Sequence, residues 1–323
     1  MKLAIKITVG MSIVGFIIAT MLWVALARPL IFQQAALKSE SNEFVEKKLY
    51  QHVKKLSVDY TPRNHQNLNA AAAYIKHQFE EIGYDVIEQK YEVNDFIYKN
   101  IIVNIGPQNN SKFVVGAHYD SAGTTPGADD NASGVAGLIE LSRLVKNNQL
   151  NRPITFVAYT LEEPPYYASQ NMGSFVHAKS EKEQNSKIEL MISLEMIGYY
   201  SDKEGSQKFP INILKYVYPN TGNFIAVIDR VFSNNAYKVK KAMSQKMEMP
   251  VYSMNAPAFI PGVDFSDHRS YWAHGYDAVM VTDTSFYRNF KYHTDGDTLD
   301  RLDFKKMKQV VDGVYNFIKE HEK

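Results

Sequence analysis

The chain of 323 residues contains no cysteine, little glycine and no excess of either charge. Without cysteine it can form neither a disulfide scaffold nor a thiolate zinc site. Its 36 basic and 35 acidic residues give a net charge of +1, which argues against a nucleic-acid-binding protein because these normally carry a basic excess. With 45% hydrophobic residues and 17 glycines, it is too apolar for a disordered chain and too poor in glycine for collagen. A chain of this length can bury a large core, in one large domain or two smaller ones.

An apolar run near the N-terminus is the first feature that is present. Ile7 to Ala27 has no charged side chain, and at about 1.5 Å per residue it is long enough to span a hydrocarbon core of roughly 30 Å. Lys2 and Lys6 precede the run and Arg28 follows it, so the positive-inside bias places the N-terminus in the cytoplasm and the rest outside. Because Ala25-Leu26-Ala27 also fits a signal-peptidase site, a cleaved signal peptide is the competing interpretation. Both predict a periplasmic or extracellular protein.

We interpret the remainder as a charged segment followed by one folded domain. We predict a signal anchor or signal peptide over residues 1–28, a charged helical lead-in over 29–62 and the folded domain over 63–323. Apolar residues at 3–4 spacing predict helices over 67–83, 134–145 and 304–318. Apolar or β-rich runs predict strands over 84–93, 98–105, 113–117, 154–160, 188–194 and 278–281. The alternation predicts an α/β fold with a mostly parallel central sheet and helices on both faces.

Three of the apolar strands run directly into polar residues. They lead into His118, Glu162-Glu163 and Glu195, and functional groups gather at the carboxyl ends of strands in parallel sheets. Further acids and an imidazole occur in Asp129-Asp130 and Tyr292-His293. Imidazole and carboxylate groups are the ligands of zinc when thiolates are absent, and a buried acid pair is costly unless a cation or a proton neutralises it. The pattern therefore predicts a metal centre at one edge of the sheet.

Four segments together carry a family resemblance. They resemble the M28 family of zinc metallopeptidases, whose relatives include aminopeptidases, glutamate carboxypeptidase and the glutaminyl cyclases, and the likeness runs from about residue 64 to the C-terminus. The segments are His118-Tyr119-Asp120-Ser121, the stretch from Gly127 through Asp129-Asp130-Asn131 to Gly134, Leu161-Glu162-Glu163, and Tyr292-His293-Thr294-Asp295.

The resemblance implies a site for two zinc ions per chain. Asp130 would bridge the two ions, and the Asp130-Asn131 peptide bond would be cis. Glu162 would be the general base that acts on a metal-activated water, and Asp120 would orient the His118 ring. In the family the position of Glu195 is more often Asp. The implied ligands are His118 and Glu195 for one ion, Glu163 and His293 for the other, and Asp130 for both.

Several residues keep more than one interpretation. Asp129 could be the ligand in place of Asp130, which would then cap the following helix. Tyr292 could donate to the oxyanion of the tetrahedral intermediate or only pack. Arg288 could bind a substrate carboxylate or carbonyl, or only fix its loop. His268 is interpreted as pocket wall or structural, and the Asp297-Thr298 pair as a turn and cap.

The expected function is a zinc-dependent exopeptidase, most simply an aminopeptidase acting on short peptides. A carboxypeptidase or dipeptidase remains an alternative, as does a glutaminyl cyclase working at a single zinc, and a non-catalytic ectodomain is a more distant one. The enlarged loop that begins at Pro164-Pro165-Tyr166-Tyr167 is expected to line the substrate pocket. The expected partners are a peptide substrate and, through the N-terminal helix, a membrane. Nucleic acid is excluded, and no protein partner can be inferred.

Overall fold

The computed structural model describes residues 2–27, 43–107, 111–148 and 152–321. One mixed sheet of eight strands lies between helices on both faces. The helices are α1 (Lys2–Ala27), α2 (Glu43–Lys54), α3 (His65–Ile82), α4 (Gly134–Asn148), α5 (Gly173–Glu183), α6 (Asn235–Ser244), α7 (His268–Ala273) and α8 (Phe304–Glu320). The strands are β1 (Val86–Val93), β2 (Phe96–Ile105), β3 (Lys112–His118), β4 (Ile154–Tyr159), β5 (Ile188–Glu195), β6 (Ile225–Asp229), β7 (Val251–Asn255) and β8 (Ala278–Thr282).

The sheet is parallel at its centre and between its last two strands, β6 and β7. The strand order is β1-β2-β4-β3-β5-β8-β6-β7, and the block β4-β3-β5-β8 is parallel. The prediction of a mostly parallel sheet is therefore wrong at the flanks, where β1 with β2, β2 with β4 and β6 with β8 pair antiparallel. The cause at one flank is local: Asn94 and Asp95 both have positive φ and form the two-residue turn that a tight hairpin requires.

The alternation of side chains along β3 shows why both faces are covered. Phe113, Val115 and Ala117 point into the main core, which α3, α4, α6 and α8 also line. Val114 points the other way, into a second apolar cluster with Tyr271 of α7. Successive residues of a strand face opposite sides of the sheet, so a strand that is apolar throughout is buried from both sides.

The predicted membrane span is not supported by the structure. Helix α1 covers the apolar run, and its side chains, described for residues 9–21, are exposed. Within the described ranges, no helix is both long enough and apolar enough to cross a bilayer. Export of the domain stays a prediction.

The lead-in segment contributes to the core wherever it is described. Residues 29–42 lie outside the described ranges, and α2 continues into a short π-helix over Lys55–Asp59. Leu49, Val53 and Leu56 are fully buried in the main core. His52 on α2 also lies 3.0 Å from the Glu140 carboxylate on α4. The packed body of the domain therefore begins before residue 63.

Candidate metal centre

The carboxyl ends of three parallel strands bring the predicted acids and imidazole to one edge of the sheet. β3 ends at His118 and β5 ends at Glu195. β4 ends two residues before Leu161, whose positive φ of 59° turns the chain so that Glu162-Glu163 follow directly. Because β3 is parallel to both neighbours, these ends meet at the same edge.

The two oxygens of the Asp130 carboxylate face two separate pairs of groups. Asp130 Oδ1 lies 3.4 Å from His118 Nε2, which in turn is 3.3 Å from Glu195 Oε2. Asp130 Oδ2 lies 3.0 Å from His293 Nε2, which is 3.1 Å from Glu163 Oε2. The five predicted ligands therefore form two half-sites that share Asp130.

These groups have the donor set of a zinc site. In each half-site the nitrogen and oxygen atoms all lie within 4.8 Å of one another. Four buried atoms, namely His118 Nε2, Asp130 Oδ2, Glu163 Oε1 and His293 Nε2, are not aligned for a hydrogen bond with any described residue. Buried polar atoms are normally satisfied, and imidazole with carboxylate is a ligand set that zinc accepts. The residues present fit the metal.

Burial makes the cluster electrostatically costly without cations. It raises the pKa of Glu163 to about 8, that of Glu162 well above its usual value, and that of Glu195 as well. Burial alone would lower the pKa of His293, but the carboxylates of Asp130 and Glu163 raise it to about 10. Carboxylates that water cannot solvate need protons or cations as partners, and bound divalent ions are strong local charges of the required sign.

The loop that carries Asp130 is fixed by an acid that the sequence analysis assigned to a turn. The backbone N–H groups of Asp129 and Asp130 donate to the buried Asp297 carboxylate, at 3.2 and 3.0 Å. The Asp130-Asn131 peptide bond is cis, as the resemblance implied. The Asp129 carboxylate accepts from the Gly198 N–H at 3.0 Å. Among the described residues Asp129 belongs to no group of converging ligand atoms, so the geometry favours Asp130 as the ligand.

Glu195 has a support that the sequence analysis missed. The Ser266 hydroxyl lies 2.7 Å from Glu195 Oε2 and donates to it, and it is 2.8 Å from the Ser193 hydroxyl. Ser266 belongs to a Ser-Asp-His stretch in which only His268 had drawn attention. His268 itself is buried, with Nε2 2.8 Å from the Val263 carbonyl oxygen, which favours its structural interpretation.

The two residues predicted to bind substrate lie in different surroundings. Tyr292 lines the cavity beside the acids, and its ring stacks on His293 with 3.7 Å between centroids. Arg288 is fully buried. Its guanidinium donates to Gln207 Oε1 at 3.0 Å and to the Phe224 carbonyl oxygen at 2.8 Å, so it fixes its loop. Arg288 is not among the described residues that line the cavity, which favours the interpretation that it fixes its loop.

A cavity of about 420 Å³ opens beside the acid cluster. Pro164 and Tyr167 of the enlarged loop form part of its wall, as predicted. Lys208 is the only lysine or arginine among the described residues that line it. The lining also includes the apolar side chains of Leu214, Tyr218, Ile228, Tyr252, Met254 and Met280.

Comparison with known proteins gives one family. The profile of peptidase family M28 matches residues 100–318. The chain is 46% identical over 312 residues to "Uncharacterized protein YfbL" of Escherichia coli (strain K12), covering 92% of this chain and 96% of that protein. It is 27% identical over 241 residues to a "Probable leucine aminopeptidase" of Arthroderma otae, covering 70% of this chain and 58% of that protein. The chain thus spans little more than half of that fungal relative.

Solved structures share the fold. A zinc aminopeptidase from Bacillus subtilis superposes with a TM-score of 0.68 and 15% identity, covering 85% of this chain and 95% of that one. A glutaminyl cyclase from Porphyromonas gingivalis superposes with a TM-score of 0.66 and 18% identity, covering 85% of this chain and 98% of that one. The family profile spans more than half of the sequence and includes every predicted metal-site residue. The chain therefore belongs to peptidase family M28.

Proposed function

We propose that the chain is a zinc-dependent aminopeptidase that releases apolar residues from the N-termini of short peptides. The observation that carries the proposal is the division of the Asp130 carboxylate between two His–Glu pairs. A carboxylate shared in this way is the usual bridge of a two-metal hydrolytic site. The zinc aminopeptidase fold and the sequence likeness to a probable leucine aminopeptidase support the same reading.

We assign the proposed ligands to the two half-sites that share Asp130. His118, Asp130 and Glu195 would hold one zinc ion, and Asp130, Glu163 and His293 would hold the other. When bound, the ions would supply Lewis-acid polarisation of the scissile carbonyl and would lower the pKa of water.

Glu162 is the proposed general base. Its carboxylate lines the cavity next to the ligands, and burial raises its pKa well above the usual value. A carboxylate beside the metal ligands can accept a proton from the attacking water. Glu162 would take the proton from the attacking water and return it to the departing amine as the carbon–nitrogen bond breaks.

Tyr292 is the proposed donor to the oxyanion. Its side chain lines the same cavity, and burial, together with the nearby Asp130 and Glu163 carboxylates, raises the pKa of its phenol. The phenol therefore keeps its proton and can donate a hydrogen bond to the negative oxygen of the tetrahedral intermediate.

The proposal of an amino terminus as the substrate group rests on the likeness to aminopeptidases. Four acids line the cavity, namely Asp130, Glu162, Glu163 and Glu195, but bound zinc ions would offset the charges of the three that are proposed ligands. Glu162 then remains as the lining acid that can attract a substrate ammonium group. The apolar side chains of the lining provide a place for a leucine or phenylalanine side chain, which supports a preference for apolar N-terminal residues.

The proposal is tested by a release assay on the purified chain. The panel pairs aminoacyl substrates (Leu, Phe, Ala, Asp and Lys) with dipeptidyl, C-terminal and N-terminal glutamine substrates, each with and without a chelator. We expect release of Leu and Phe that a chelator abolishes and added zinc restores. Release that withstands the chelator, or release only from the C-terminus, would contradict the proposal.

A glutaminyl cyclase is the second candidate. It is favoured by the fold shared with a known cyclase and by the Asp130–Glu163–His293 group, which could hold a single ion alone. The variant His118→Ala separates the candidates. An aminopeptidase that needs both half-sites should lose its activity, whereas a one-zinc cyclase should still convert N-terminal glutamine to pyroglutamate.

A further inference from the structure

Arg63 is buried between the lead-in segment and the metal-site loops. Its side chain is almost completely inaccessible, and residue 63 immediately precedes the N-terminal cap of α3. All five N–H bonds of the guanidinium are used, and every acceptor is a backbone carbonyl oxygen. The acceptors are Tyr119 at 2.7 Å, Leu56 at 3.0 Å, Pro126 at 2.8 Å, Gly127 at 2.8 Å and Asp130 at 3.4 Å.

Three of these carbonyls, those of Tyr119, Gly127 and Asp130, belong to the loops that carry proposed ligands. Tyr119 directly follows His118, and Asp130 is the shared carboxylate residue. A guanidinium is a rigid planar fork with fixed donor directions. Since the fork holds both loops at once, it sets how far the His118 ring lies from the Asp130 carboxylate.

Gly127 shows how closely the fork approaches the loop. Its φ is +58°, and a Cβ there would lie 2.2 Å from the Asp130 carbonyl oxygen and 2.7 Å from Arg63 Nη2. Any other residue at this position would push either the loop or the guanidinium aside. The loop is therefore shaped around the arginine.

The charge of Arg63 also suits its surroundings. The acids Asp120, Asp130 and Asp297 all attract the guanidinium. Burial lowers its pKa to about 10, which still leaves it positively charged at neutral pH. Arg63 thus supplies one fixed positive charge behind a cluster of carboxylates.

We propose that Arg63 is a positioning residue of the metal centre, which holds the His118 and Asp130 loops at the separation that both zinc ions require. The inference rests on the proposed zinc site. It does not require Arg63 to touch substrate or metal. The lead-in segment contributes as well, because Leu56 lies in that segment and its carbonyl oxygen accepts a hydrogen bond from the same guanidinium.

The test measures zinc affinity rather than activity. Zinc dissociation constants of the full chain are determined by competition with a chromophoric chelator for the wild type, Arg63→Lys and Arg63→Met. The matched control is Arg152→Lys, because Arg152 is also buried but bonds to the His321 carbonyl oxygen, at the opposite end of β4 from the site. Circular dichroism confirms that each protein is folded, and the absorption of bound cobalt(II) reports the ligand geometry.

We expect Arg63→Lys to weaken zinc binding by about 10- to 100-fold and to change the cobalt spectrum, because lysine keeps the charge but cannot form the fork. Arg152→Lys should bind zinc as the wild type does. If Arg63→Met does not fold, the comparison of Arg63→Lys with the wild type and with Arg152→Lys is sufficient for the test.

If Arg63→Lys binds zinc within about twofold of the wild type, the inference is overturned while the proposed function stands. The same holds if Arg152→Lys loses as much zinc affinity as Arg63→Lys does. If the wild type itself binds no zinc, the proposed function fails and the inference fails with it.

Discussion

The Asp120 carboxylate accepts a hydrogen bond from the Glu163 backbone N–H at 3.0 Å. Its other oxygen accepts from the Glu162 N–H at 3.2 Å and lies 3.3 Å from His118 Nδ1. One buried carboxylate therefore lies next to the imidazole at the end of β3 and holds the acid pair after β4 by two hydrogen bonds. This contact supports the orienting role that the family resemblance implied for Asp120, and it adds a second task, that of holding the acid pair.

Replacing Asp120 by asparagine should loosen both connections. An amide has one acceptor oxygen and no negative charge, so it cannot accept from both backbone N–H groups or favour the protonated Nδ1 of His118. We expect Asp120→Asn to weaken zinc binding by about 10- to 100-fold, measured by competition with a chelator. The exposed acid Asp85, between α3 and β1, provides the control Asp85→Asn. Equal zinc affinities for both variants would count against the orienting role.

Substitutions of the neighbouring acids Glu162 and Glu163 should both lower activity but should differ in their effect on zinc content. Glu162→Gln removes the proposed base but no proposed ligand, so kcat should fall by about 10²- to 10⁴-fold with the zinc content unchanged. Glu163→Gln removes a ligand, so it should lose zinc as well as activity. Metal analysis of the two dialysed proteins, alongside kcat, checks the assignment. Loss of zinc in Glu162→Gln would show that the roles of the two acids are reversed or shared.

Filling the apolar cavity should change the substrate preference without removing activity. Ala226 lies on β6 and lines the cavity, so Ala226→Phe would occupy the space proposed for the substrate side chain. We expect the ratio of kcat/KM for a phenylalanine substrate to that for an alanine substrate to fall by about tenfold or more. The alanine substrate is the internal control for damage to the metal centre. A proportional loss for both substrates would mean that the side chain binds elsewhere.

The sequence predicts the proposed ligands from two kinds of signal. His118, Glu163 and Glu195 follow apolar strands, which can be recognised from a few consecutive residues, whereas Asp130 and His293 are indicated by the family resemblance of their segments. The residues that hold the ligand loops in place, Arg63 and Asp297, have no such local signal. Arg63 lies in a polar turn beside Pro62 and reads as exposed, while Asp297 lies in a polar stretch and reads as a turn. Their burial is decided by segments more than 50 residues away, so tertiary packing alone reveals them.

The strands β6 and β7 and the antiparallel pairing at the flanks of the sheet were not predicted from the sequence. β7 contains Ser253 and alternates in burial, so it has no continuous apolar run, whereas β6 is a short apolar run like β8 and could have been predicted in the same way. The hairpin between β1 and β2 is an antiparallel flank that the two predicted strands, joined by Asn94-Asp95, could have indicated. The parallel centre was predictable because β3, β4, β5 and β8 are apolar runs separated by helical segments.

A buried histidine outside the site should control stability in acid. His177 on α5 is buried, with Nδ1 2.6 Å from the Tyr271 hydroxyl and Nε2 3.5 Å from Glu181 Oε1. Burial lowers the pKa of His177 to about 4, although Glu181 raises it and Lys112 lowers it further. The folded protein therefore binds this proton less readily than the unfolded chain, in which the pKa of histidine is about 6.5. Its contribution to stability is complete above about pH 6.5 and is lost as the pH falls towards 4.

The substitution His177→Gln should flatten this dependence, because glutamine does not titrate. Between pH 7 and pH 4 the free energy of unfolding of the variant should fall by roughly 3 kcal/mol less than that of the wild type, measured by urea denaturation at several pH values. Other groups that titrate in this range are present in both proteins and cancel in the difference. The control is His77→Gln on α3, where the histidine is 63% exposed and its removal should leave the pH dependence of the wild type. If His177→Gln and His77→Gln both follow the wild-type curve, then protonation of His177 does not oppose folding, and its imidazole must find a solvated or paired position in acid.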